Sequence, residues 1–270
     1  MIKLVAIDVD DTLLTSQGTL LESTKQAVKQ ACQMGIKIVL CTGRPLVGVQ
    51  GFLQELQLQQ ADQYAITFNG AVIQATAGQV LTQQGLTRKT YEQVDAYAKQ
   101  NQLAYNVLDA DGAIYTSNRN VNWVTVVQAW ENQAGVLIRE PQEVDVQIPM
   151  IKAVFVGEKG ELDQQEAAVQ QQFGQANYVV RAADNFLEMM HADINKGVAV
   201  QALAEHLRID SQDILVLGDE QNDLPMFEVA GTSVAMGNGS SVAKQAADYT
   251  TASNDEDGIM EAFQKFIFRK

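Results

Sequence analysis

Short apolar runs bounded by turn residues recur along this chain, and four of them end in polar residues. Leu4 to Ile7 leads into Asp8, Ile36 to Cys41 into Thr42 and Gly43, Tyr64 to Phe68 into Asn69 and Gly70, and Ile214 to Leu217 into Gly218 and Asp219. Runs of this length and framing predict buried strands of a parallel sheet. Between the first two, Ser23 to Met34 carries Ala27, Ala31 and Met34 at helical spacing, opens on cap-competent Ser23 and Thr24, and is followed by Gly35. That is a helix with its own start and stop signals, linking two strands in a βαβ crossover. In open sheets of this kind ligands lie beyond the carboxyl ends of the strands, so the four polar exits should meet at one edge.

The style changes between Gly85 and Asp184. Tyr105 to Leu108 and Ala113 to Thr116, separated by Asp111-Gly112, predict an antiparallel hairpin. Lys89 to Gln100, Val121 to Gln133 and Glu161 to Phe173 predict flanking helices. Trp123 and Trp130, seven apart at helical spacing, are expected in the core of this region. From Asn195 the first style returns, with a helix at Gly197 to Leu207, the Ile214 to Leu217 strand, a helix start at Pro225 and a strand at Thr232 to Met236. The expected fold is α/β: a Rossmann-like, doubly wound parallel sheet, residues 1–83 and 189–270, interrupted by an α/β cap with an antiparallel sheet, residues 84–188. An insertion at the carboxyl edge of such a sheet is placed to act as a lid.

Composition narrows the partners. With 270 residues and 46% hydrophobic content there is material for a sizeable core, and a net charge of −14 makes nucleic acid or an anionic membrane an unsuitable partner. An anionic ligand would need local positive charge from a metal ion or from individual lysines and arginines. Cys32 and Cys41 form no metal-like cluster and read as buried thiols in a reducing compartment. The chain enters a strand at Ile2 without a charged leader, and no run approaches membrane-spanning length, so a cytoplasmic protein is expected.

The candidate chemistry sits at the strand exits. Asp8 and Asp10, two apart, can face one crevice, and paired carboxylates suit Mg²⁺ when phosphate is the other ligand. Asp219 and Asp223 form a second acidic group that could complete a metal cage or simply open a helix. Thr42 and Gly43 offer a hydroxyl and backbone N–H groups to phosphate oxygens, or make a plain turn. Lys196 precedes Gly197 at a helix start, where a cation opposes the helix dipole and so hints at a neighbouring anion. Each part alone has an ordinary structural meaning. Together they supply a nucleophile, an acid/base, a hydroxyl, a cation and metal-binding carboxylates, the equipment for phosphoryl transfer through an aspartyl phosphate.

The ordered set Asp8-Val9-Asp10-Asp11-Thr12-Leu13, Cys41-Thr42-Gly43-Arg44-Pro45, Phe68-Asn69-Gly70-Ala71, Asn195-Lys196-Gly197 and Gly218-Asp219-Glu220-Gln221-Asn222-Asp223 resembles the haloacid dehalogenase superfamily, and within it the Cof-type phosphatases with a large α/β cap. The resemblance implies that Asp8 attacks phosphorus and that Asp10 protonates the leaving oxygen and then activates water. It implies Mg²⁺ held by the Asp8 carboxylate, the Asp10 main-chain carbonyl and Asp219, with Asp223 supporting or joining. Thr42, the Gly43 backbone and Lys196 would bind the phosphoryl group, Asn222 would contact it or orient neighbours, and Arg44 would approach the substrate or brace its loop. The implied activity is Mg²⁺-dependent hydrolysis of a small phosphorylated metabolite, a sugar phosphate or phosphorylated cofactor.

A phosphomutase or phosphotransferase using the same intermediate is the nearest rival, and a phospho-ligand binding protein or signalling receiver is a non-hydrolytic one. Asp11 departs from the glycine common at its position and is expected to face solvent or cap a turn. His191 replaces a frequent proline. Substrate-contact candidates are the Tyr105 to Thr116 hairpin and the Tyr178 to Ala183 strand with Arg181, while oligomeric state is not legible.

Overall fold

The computed structural model describes residues 1–60 and 62–268. Its strands are β1 (Leu4–Ile7), β2 (Lys37–Cys41), β3 (Tyr64–Thr67), β4 (Val72–Ala75), β5 (Val80–Gln83), β6 (Ala104–Asp109), β7 (Ile114–Thr116), β8 (Val136–Ile138), β9 (Met150–Val156), β10 (Asn177–Ala183), β11 (Phe186–His191), β12 (Ile214–Gly218), β13 (Thr232–Ala235) and β14 (Tyr249–Thr250). They form two sheets, ordered β14-β13-β12-β1-β2-β3-β4-β5 and β10-β11-β9-β6-β7-β8. The chain divides into two compact units: Met1–Gly43, Gln50–Thr82 and Asn195–Lys270, and Arg44–Val49 with Gln83–Ile194.

In the first unit the pairs from β14 to β3 are parallel, as continuous apolar runs require when both faces are covered. One face packs Leu4, Ala6, Val39, Ile66 and Val216 against Ala199, Val200 and Leu203 of the helix Lys196–Leu207 and against Met226 and Phe227. Helices Glu22–Gln33 and Gly258–Phe266 pack on one another, the former also on β2. The extension through β4, antiparallel to β3, and β5 beyond it is an addition to the predicted strands. Its sequence, with Gln74 and Gln83 among the apolar residues, lacks the clean run that marks the central strands.

The second unit holds the predicted hairpin, with Val107 opposite Tyr115 and Leu108 opposite Ile114. Its sheet is antiparallel except where β7 meets β8. β11 is paired on both sides, with β10 and β9, so this sheet runs on to His191, past residue 188. Tyr105, Val107, Ala153, Phe155, Leu187 and Met189 line one face and pack with Tyr91, Val94 and Ala98 of the helix Arg88–Asn101 and Leu162, Val169 and Phe173 of the helix Lys159–Phe173.

Trp123 and Trp130 correct an expectation. They are 56% and 79% exposed, because the helix Trp123–Glu131 buries its other side, through Val124, Thr125, Gln128 and Ala129. Spacing of seven puts two residues on one face; it does not say which face is inward. No helix among the described residues is long and apolar enough to cross a membrane.

Candidate active site

Register brings the polar exits of the first unit together. Ile7 lies level with Leu40 and Leu217, so Asp8, Thr42 and Asp219 follow at or just beyond the ends of three neighbouring strands. The Asp8 N–H still donates to the Leu217 carbonyl at 3.0 Å, after which the chain coils into one wide turn. Leu13 N–H reaches the Asp8 carbonyl at 3.1 Å and Leu14 N–H the Val9 carbonyl at 3.0 Å. Val9, Thr12 and Leu13 are buried, whereas Asp10 and Asp11 face solvent. Asp11 has φ +57°, in the left-handed region where glycine is at ease and aspartate is tolerated. The expectation that Asp11 faces solvent holds, and its positive φ is one that glycine would adopt without strain.

Lys196 is the centre of the cluster. Its ammonium is fully buried and donates to Asp8 Oδ1 at 2.5 Å and to Asp223 Oδ1 at 2.6 Å. Burial alone would lower its proton affinity, but the fields of Asp223 and Asp8 outweigh that and hold it well above its usual value. The cation against the dipole that stood out in the sequence is thus explained by two neighbouring anions. Gly197 permits the approach, since a Cβ there would run into the Pro225 carbonyl.

Both oxygens of Asp223 are engaged: Oδ1 by Lys196, and Oδ2 by the N–H groups of Asp219 at 2.8 Å and Glu220 at 3.1 Å. Gly218 makes room for that carboxylate, which a Cβ would strike. Asp219 accepts the Thr12 hydroxyl at 3.0 Å. Carboxylate oxygens of Asp8, Asp219 and Asp223 lie within 4.8 Å of one another. Burial, with Asp223 and Asp10 nearby, pushes Asp8 up to about 8 despite Lys196. Burial and the charges of Asp8 and Asp223 push Asp219 up to about 9. Three carboxylates facing one ammonium leave uncompensated negative charge, and an all-oxygen donor set of this kind fits a hard divalent cation such as Mg²⁺.

A second chain of contacts joins the Thr42 loop to this cluster. Thr42 is fully buried, and its carbonyl accepts the Asn69 N–H at 2.8 Å. The Asn69 side chain stands 3.2 Å from where a Cβ on Gly43 would lie, and its Oδ1 accepts from Asn222 Nδ2 at 3.1 Å. Asn69 is 1% exposed. Its motif at the end of β3 assigns it no role by sequence alone; three consecutive positive φ values, Phe68 at +51°, Asn69 at +55° and Gly70 at +104°, single this turn out. Glycine is needed at 70, where a Cβ would overlap the Asn195 carbonyl beside Lys196. Sequence carried the signal only as Asn-Gly at a strand end.

Arg44 is half-buried and opens the Arg44–Val49 segment, which groups with the second unit. His191 ends β11, 3.4 Å from Gln84 Nε2 and 3.7 Å from Asp193 Oδ2. Cys41 is buried and its thiol pushed up, first by burial, so it stays protonated. Arg181 is tied to Asp163 at 3.0 Å and Glu166 at 3.2 Å, a structural fastening for the β10 strand.

Comparison with known proteins identifies the family. Residues 5–263 match the haloacid dehalogenase-like hydrolases as a family. The chain belongs to that family. The Bacillus subtilis protein YxeH is 33% identical over 271 residues, covering 100% of each chain. A second B. subtilis relative, 5-amino-6-(5-phospho-D-ribitylamino)uracil phosphatase YitU, is 28% identical over 98% of this chain and 97% of its own. Among solved structures, a haloacid dehalogenase-like hydrolase from Bacteroides thetaiotaomicron superimposes with a TM-score of 0.86 at 27% identity, over 99% of this chain and 100% of its own. The α/β core with its second, largely antiparallel sheet is the architecture of this hydrolase family, and the chain is a phosphatase within it.

Proposed function

We propose that the chain is a Mg²⁺-dependent phosphatase that hydrolyses a small phosphorylated metabolite, a sugar or polyol phosphate or a phosphorylated cofactor, through an aspartyl phosphate on Asp8. The observation that carries this reading is the fully buried Lys196 bridging Asp8 and Asp223 beside Asp219. Lys196 keeps its proton and holds Asp8 Oδ1, orienting the carboxylate so that its other oxygen can attack phosphorus. Attack forms the Asp8–phosphorus bond as the bond to the leaving oxygen breaks, and Asp10 delivers the proton that the leaving oxygen needs. Asp10, now ionised, takes a proton from the water that cleaves the acyl phosphate, returning Asp8 to its carboxylate form.

Thr42, the Gly43 N–H and Lys196 are assigned to the phosphoryl oxygens. Asn222, braced by Asn69, orients that group. Asp8, the Asp10 carbonyl and Asp219 would hold Mg²⁺, with Asp223 fixing Lys196 and the Asp219 backbone from behind. When bound, the cation supplies charge neutralisation between nucleophile and phosphate. Arg44, next in the chain to Gly43, is assigned to the leaving group. The names of relatives support small phosphorylated substrates: YitU is named for a phosphoribityl compound, and a Cronobacter sakazakii relative, 29% identical, is named HMP-PP phosphatase.

The test is phosphate release from a panel of sugar phosphates, nucleotides and phosphorylated cofactors, in Mg²⁺ or in EDTA, with Asp8→Asn as control. Metal-dependent release from a few compounds, lost in a folded Asp8→Asn protein, is the expected result. Undiminished release by Asp8→Asn, or phosphate passed to a sugar hydroxyl without net release, would overturn it.

A further inference from the structure

The helix Trp123–Glu131 turns Trp123, Val126, Val127 and Trp130 outward, at 56%, 54%, 40% and 79% exposure. These positions recur at i, i+3, i+4 and i+7, a complete apolar stripe on the side where a surface helix ordinarily carries polar residues. Scattered exposed apolar side chains are ordinary, whereas a contiguous stripe marks a contact surface. With about 150–250 Å² in each tryptophan, the stripe presents on the order of 500 Å². The only charged residue of this helix is Glu131 at its end, in a chain of net charge −14.

The stripe is symmetric about the midpoint between Val126 and Val127, with Trp123 and Trp130 equidistant from it. In a two-fold contact residue i meets j while j meets i. Laying the helix antiparallel on a second copy about that midpoint therefore sets each tryptophan on the mate's other tryptophan and Val126 on Val127. Trp123 is already oriented, its Nε1–H donating to Glu158 Oε1 at 3.1 Å, so its ring loses little freedom on contact.

We propose that this helix is a self-association face through which two copies of the chain pair antiparallel. Two such stripes bury roughly 1,000 Å², the lower bound for a specific interface, so the dimer is weak and concentration-dependent. Each copy is strongly negative, so association tightens as salt screens the repulsion. An anionic membrane surface is disfavoured as occupant by the same charge.

The two tryptophans are the only ones in the chain, so their emission reports the stripe without a label. Sedimentation velocity and fluorescence are followed together over a dilution series through the micromolar range, at low and high salt. A monomer–dimer equilibrium is expected, with emission shifting to the blue as dimer forms, and with tighter pairing at high salt. The Val126→Glu/Trp130→Glu double variant raises the dissociation constant roughly a hundredfold or more (on the order of 3 kcal/mol) while phosphatase turnover and melting temperature stay near wild type. On mild oxidation in a Cys32→Ser background, a mixture of Val126→Cys and Val127→Cys chains cross-links chain to chain through 126 and 127, and the comparably exposed Val242→Cys does not. A monomer at every concentration and salt, a dimer indifferent to the double variant, or equal cross-linking at 242 overturns the proposal. So does a monomer whose tryptophan emission responds to a phosphorylated substrate, which would make the stripe a ligand surface.

Discussion

Removing divalent cations should make this protein less stable as pH rises, and the acidic cluster sets the size of the effect. Without a cation, Asp8 and Asp219 have proton affinities raised to about 8 and about 9, against 3.8 for an ordinary carboxylate. The folded state therefore binds more protons than the unfolded chain across this interval. The stability these groups contribute is complete below about pH 4 and is lost as pH climbs through their folded values. Each tenfold difference in proton affinity corresponds to about 1.4 kcal/mol, and with about three such steps for Asp8 and about four for Asp219 the loss between about pH 5 and about pH 9 reaches at most roughly 9 kcal/mol for the pair. For a chain of this size that is a fall of up to roughly 20–35 °C in Tm. Mg²⁺ binds the deprotonated carboxylates, so its stabilisation should be small at about pH 5 and grow to roughly 10 °C or more near pH 9. Melting curves across this range, in EDTA and in excess Mg²⁺ at constant ionic strength, measure both trends. Asp8→Asn, with one titrating group fewer, should flatten the EDTA curve. An EDTA curve that rises with pH, or a Mg²⁺ shift equal at both ends, would refute the electrostatic account of the cluster.

Other consequences follow from single contacts. Lys196→Met leaves Asp8 and Asp223 buried without their cation, and a loss of about 3–5 kcal/mol is expected in chemical denaturation at neutral pH, with turnover abolished; a protein of wild-type stability in EDTA would contradict the bridge. Gly70→Ala forces an L side chain to φ +104° against the Asn195 carbonyl, for about 1–3 kcal/mol of destabilisation and a fall in kcat through displacement of Lys196; unchanged kcat would separate that turn from the site. Asn69→Ala removes the bond to Asn222 and should lower turnover while leaving Mg²⁺-dependent stabilisation intact, read by the same melting curves.

Much of the catalytic unit could be read from the chain alone because its signals are local. Four apolar runs each buried on both faces, a helix bracketed by a cap and Gly35, and acidic residues at strand exits all state their structure within a few positions. The parallel sheet then makes convergence of Asp8, Thr42 and Asp219 a matter of register, and the comparisons established the family those motifs resemble. The β4–β5 extension and the run of the second sheet to His191 were less legible, since edge and antiparallel strands mix polar with apolar residues and depend on their partners.

Tertiary structure decided what no local pattern encodes. That Lys196 lies between Asp8 and Asp223, 188 and 27 positions away, is a property of the folded sheet and of the helix start that carries it. The link from Thr42 through Asn69 to Asn222 likewise joins three loops whose neighbours in sequence give no hint of one another. The outward turn of Trp123 and Trp130 is the plainest case. Periodicity put the two side chains on one face of a helix, but packing of Val124, Thr125, Gln128 and Ala129 chose the opposite face for burial. Sequence determined the elements and the chemical inventory, because backbone propensity and apolar spacing act over a few residues. The fold alone determined which charges meet and which apolar face stays in water, because those energies belong to contacts between distant segments.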